Sequence, residues 1–131
     1  EGWTSVYRAV REAGFFVTHA NPVKAEMGLS IPIQQARVSV NFDLVIVCRK
    51  TCPDARENRT MTKSACLGEV RRVVERLTNA DLDVSIGDAK VIFMGCILSR
   101  LGTIGDLNEE IEALRKLEKD ADSLLQEFFA A

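Results

Sequence analysis

The chain has 131 residues, 47% of them hydrophobic and 27% charged, with a formal net charge of −2. This is the balance of one ordinary globular domain, large enough to bury about two-thirds of its unfolded surface. The near-neutral total excludes a generally basic nucleic-acid or membrane-surface protein, leaving such binding to a local patch, and the apolar run from Val91 to Leu98 is far shorter than the roughly 20 residues of a membrane span.

No signal peptide is visible at the start. The chain opens at Glu1 without a Met, directly ahead of its first helix, so a fragment of something longer is expected. That helix is predicted from Trp3 to Ala13, because Trp3, Val6, Tyr7 and Val10 recur at helical spacing while Arg8, Arg11 and Glu12 take the other face. Gly14 is placed to end it in the left-handed conformation. Phe15 to Ala20 reads as a strand, followed by a long polar connection from Asn21 to Asn41 that opens with Pro22. Phe42 to Cys48, FDLVIVC, reads as a second strand, apolar on both faces apart from Asp43 and so expected to be covered on both sides. RKTCPDARENRTMTK, from Arg49 to Lys63, is a charged stretch with Pro53 and no periodicity.

Three helices are predicted in the remainder. From Ser64 to Asn79, Ala65, Cys66, Val70, Val73, Val74 and Leu77 form one stripe, with Glu69, Arg71, Arg72, Glu75 and Arg76 outside it. Ser85 and Asp88 form a capping-box variant opening a helix through Leu101 that is apolar almost all round and must be buried. Gly95 in its middle costs about 1 kcal/mol relative to Ala, a cost most easily offset if another backbone packs closely there. Gly102 and Gly105 mark the turn, and Asp106 caps a last helix to Phe129. Leu114, Leu117, Ala121, Leu124 and Phe128 follow in heptad-like spacing, which suits a dimerisation helix or ordinary core equally.

Cys48, Cys52, Cys66 and Cys96 make no paired metal knuckles, and the one histidine is remote, so no metal is expected. The cysteines read as reduced core thiols of a cytoplasmic protein. Lys63, Arg71, Arg72 and Arg76 could make a phosphate-tracking face, but Glu69 and Glu75 interrupt it and favour a solvated surface.

GWTSVYRAVREAGFFVTHANPVKAEM followed by NFDLVIVCRK resembles the last part of the catalytic domain in DNA methyltransferases that modify exocyclic amino groups, especially the large adenine-specific DNA methylases. The resemblance covers Gly2 to Lys50 and is weak and compositional beyond it. It implies an α+β fragment: the last helix and the two-stranded antiparallel hairpin, strands six and seven, of a Rossmann-like methyltransferase sheet, followed by three helices. Residues 1–50 would be the end of the methyltransferase domain, 51–63 a charged linker and 64–131 a helical C-terminal region.

The family's S-adenosylmethionine site needs a glycine-rich turn after a strand, and its amino-group chemistry an Asn/Asp-Pro-Pro-aromatic turn. No G-x-G occurs here, and Pro22, Pro32 and Pro53 are never adjacent. The resemblance therefore implies that both motifs lie upstream in a longer parent, that S-adenosylmethionine belongs to that parent, and that this chain has no catalytic residue and no cofactor of its own. It also implies that the connection from Asn21 to Asn41 overhangs the substrate site, since open α/β sheets bind ligands at the carboxyl ends of their strands.

On that reading Lys24 and Arg37 contact phosphate and Gln34 or Gln35 a base edge, with His19, Asn21 and Glu26 on the substrate rim. The loop lacks an aromatic residue to stack on a flipped base. The bland alternative is a solvated loop that merely closes the hairpin. His19 as a general base has no paired carboxylate or nucleophile in sequence.

The expected partners are the rest of the methyltransferase domain and, through it, nucleic acid, DNA rather than RNA. No membrane partner is expected, and the isolated chain is expected to form a homodimer. The competing reading is a free-standing, non-enzymatic interaction or dimerisation module that reuses the hairpin.

Overall fold

The computed structural model describes residues 2–24, 41–51 and 61–130, with side chains through Glu127. Among these residues the fold is α+β, with four α-helices and a two-stranded antiparallel sheet. Helix α1 (Gly2–Glu12) leads into strand β1 (Phe16–Lys24), which pairs with β2 (Phe42–Arg49); α2 (Lys63–Asn79), α3 (Ile86–Arg100) and α4 (Leu107–Ala130) follow, with a 3-10 turn, Leu101–Thr103, between the last two.

The stops of the first two helices share one geometry. Gly14 adopts φ +91°, and the Phe15 and Gly14 amides donate to the Val10 and Arg11 carbonyls, each at 3.0 Å, which satisfies the last carbonyls of α1. At the end of α2 the left-handed residue is Asp81, φ +62°, and Leu82 and Asp81 donate back to Leu77 and Thr78, again at 3.0 Å.

Strand β1 is longer than its sequence suggested. The pairing runs from Phe16 opposite Arg49 to Lys24 opposite Phe42, with a bulge at Thr18. Asn21 and Pro22 therefore lie within the strand, opposite Val45 and Leu44. Pro22 is tolerated because β1 has a partner on one side only among the described residues, where a missing amide need not break a ladder.

Helix α3 is the centre of the molecule. It touches both strands, α2 and α4, and Ala89, Ile92, Phe93, Met94, Ile97 and Leu98 are buried. From Ala89 to Leu98 its apolar surface is thus largely covered within one chain, as its sequence required, while Ile86 at its start is 48% exposed. Of the heptad-like positions of α4, Leu114, Leu117 and Ala121 are buried in this core and Leu124 packs against it, with Ile111 and Leu125 buried beside them in the same cluster as Tyr7 and Val17; the Phe128 side chain falls outside the described residues. What approaches Gly95 is not a backbone but the hairpin's side chains. A Cβ built there would lie 2.9 Å from Leu44 Cδ1 and 3.0 Å from Ala20 Cβ.

The two faces of the hairpin are treated differently. Leu44, Ile46 and Cys48 alternate toward α3, half-buried. On the other face Val45 is 50% exposed and Val23 41% exposed, so among the described residues β2 is covered on one side and not, as its pattern predicted, on both.

Candidate functional site at the hairpin

The residues expected on a substrate rim separate by strand alternation. His19 and Asn21 stand exposed on the outer face of β1, opposite Val47 and Val45. Lys24 ends the strand, exposed, opposite the buried Phe42. The connection of residues 25–40 thus leaves from and returns to paired neighbours. Glu26, Gln34, Gln35 and Arg37 fall outside the described residues, as does Cys52.

His19 is tied into its own strand. Its Nδ1 lies 3.2 Å from Thr18 Oγ1, and the Thr18 hydroxyl donates to the Val47 carbonyl at 3.2 Å. The bulge thereby buries Thr18 while turning His19 outward. Among the described residues no group of three or more His, Cys, Asp or Glu could hold a metal ion. Cys66 and Cys96 are buried free thiols, and burial pushes them up to about 11 and about 12, which disfavours the reactive thiolate.

Two buried polar groups were not legible in the sequence. In the first, the Tyr7 hydroxyl donates to Glu110 Oε1 and Arg11 Nε donates to the same oxygen at 2.9 Å, while the Arg11 guanidinium lies 4.0 Å from the centre of the Phe16 ring. Glu110 is fully buried, and its charge is matched by Arg11. Burial, then the hydrogen bond to Glu110, raises the Tyr7 phenol above its ordinary value. In the second, Asp88 accepts from the Asn41 amide at 2.6 Å, from Asn41 Nδ2 at 3.3 Å and from the Ser85 amide at 3.0 Å. The capping box was readable from Ser85 and Asp88, but its reach to Asn41 was not.

Lys63, Arg71, Arg72 and Arg76 are exposed on α2, with Arg72 Nε donating to Glu69 at 3.2 Å. No helix among the described residues is long and apolar enough to cross a membrane.

The positive-φ glycines among the described residues are Gly14, which ends α1, and Gly105, which lies between the 3-10 turn and α4. Neither follows a strand. Comparison with protein-family models, curated proteins and solved structures finds no match to this chain.

Proposed function

We propose that the chain supplies the closing hairpin and substrate rim of an S-adenosylmethionine-dependent, adenine-specific DNA methyltransferase, whose cofactor site and amino-group chemistry lie in other parts of the protein. The observation that carries the reading is the contrast between the hairpin's two edges. Strand β1 holds Pro22, the bulge at Thr18 and a terminal lysine, the features that blunt a sheet edge. Strand β2 is regular, β-branched at Val45, Ile46 and Val47, and open to solvent at Val45. Among the described residues its second edge has no neighbour. Such a hairpin suits the end of a larger sheet, with β2 joined to further strands and β1 outermost.

The resemblance over Gly2 to Lys50 gives that sheet its identity in this proposal, and Lys24, at the strand end, its contact with a DNA phosphate. The test is transfer of labelled methyl groups from S-adenosylmethionine to duplex DNA by the full gene product. Transfer to adenine is expected. Lys24→Ala and Arg37→Ala should weaken DNA binding, leave cofactor affinity nearly unchanged and each reduce the salt slope by about 1. No transfer and no DNA binding would overturn the proposal. The same open edge favours the interaction-module reading, in which β2 pairs with a second copy of the chain across a two-fold axis.

A further inference from the structure

We infer that Asp88 is a positioning residue for the hairpin end that bears Lys24, an inference that rests on reading that end as a substrate rim. Asp88 belongs to the first turn of α3, where the Ser85 hydroxyl accepts from its amide and its own carboxylate accepts from the Ser85 amide, each at 3.0 Å. A helix cap asks no more of it.

The carboxylate nevertheless takes two further donors from one distant residue. Its Oδ1 holds the Asn41 amide at 2.6 Å and its Oδ2 the Asn41 side chain at 3.3 Å. Asp88 is 0% exposed, and a carboxylate withdrawn from water is retained where donors replace the water it has lost. Asn41, by contrast, is exposed, so the bond reaches from the core to the surface.

Asn41 directly precedes Phe42, and Phe42 is the residue paired with Lys24. The buried α3 thereby fixes the backbone where β2 begins, and through the first rung of the ladder the place of Lys24. Helix α3 is held in turn by both strands, α2 and α4, so the helical region sets the geometry of the proposed rim. An amide at position 88 would turn one acceptor into a donor facing donors.

Three variants of the full gene product separate positioning from stability. Ser85→Ala removes the hydroxyl from the cap and leaves the bonds from Asp88 to Asn41. Asn41→Ala removes one of those bonds and leaves the cap. Asp88→Asn disturbs both. Positioning predicts that Asp88→Asn raises KM for DNA about tenfold, the equivalent of one charge-assisted hydrogen bond, with Asn41→Ala shifted in the same direction and the dissociation constant of S-adenosylmethionine unchanged. Ser85→Ala should lower Tm without moving KM for DNA.

If all three variants change KM for DNA only in proportion to Tm, Asp88 is a cap and the inference is overturned. If Asp88→Asn does not fold, Asn41→Ala against Ser85→Ala decides by the same criterion. A wild-type protein that neither binds nor methylates DNA removes the rim reading and this inference with it, an outcome distinct from active enzyme with indifferent variants.

Discussion

Tyr7 is the chain's one tyrosine and is 1% exposed, which makes its ionisation a direct report on the contact between α1 and α4. Burial and the bond to Glu110 hold the phenol above its ordinary value of 10. Below that pH the tyrosine is protonated in both folded and unfolded chains, and the full contribution of the contact is present. Above it the unfolded chain releases a proton that the folded chain retains, so stability must fall as pH rises. Absorbance titration of the native protein should show no phenolate near pH 10, followed by release together with unfolding; a reversible native titration at the ordinary value would show that the Tyr7–Glu110 bond is absent. Tyr7→Phe should cost about 1 kcal/mol and remove the effect. Tyr7 was legible as a core position from its helical spacing. Glu110 was not, because a glutamate in the first turn of α4 has the pattern of a solvated, dipole-favoured residue, and its partners stand 99 and 103 positions away.

At the scale of elements, the contact between α3 and the hairpin turns on one missing methyl group. Gly95→Ala would gain about 1 kcal/mol of helix propensity. The new Cβ would stand 3.0 Å from Ala20 Cβ and within 2.9 Å of Leu44; Leu44 can rotate, but Ala20 Cβ moves only with the backbone of β1. Overpacking of this kind costs about 1–3 kcal/mol, so chemical denaturation should find Gly95→Ala less stable than wild type. An equal or higher stability would show that the hairpin sits further from α3. The existence of every described α-helix and of both strands was readable from periodicity and caps, including the Ser85 cap and the cap in which Asp106 Oδ2 accepts from the Glu109 amide at 3.1 Å. Gly14 announced its left-handed turn, whereas Asp81 did not, since an aspartate fits many conformations. The end of β1 was misplaced because Pro22 is a chain break in isolation and an acceptable residue on an edge strand, and only the pairing distinguishes the two.

At the scale of the whole molecule, α1 and the hairpin share one core with the helical region, in which Tyr7 and Val17 join α2, α3 and α4. Among the described residues of the hairpin, Val23 and Val45 are exposed on the outer face and the second edge of β2 has no neighbour. This narrows the routes of self-association, because Gly95 and the α4 positions Leu114, Leu117 and Ala121 are occupied within the chain. His19, Asn21 and Lys24 stand exposed on β1, and the strand alternation that separates them was hidden by the misplaced strand end. Glu26, Gln34, Gln35 and Arg37 lie outside the described residues. The central claim is that β2 continues a larger sheet while β1 ends it. Amide hydrogen exchange across the hairpin, compared between the full gene product and this chain alone at low concentration, tests it most directly. The account predicts that the β2 amides not bonded to β1 gain protection in the full protein while the outer amides of β1 do not; protection gained along β1, with β2 unchanged, would contradict it.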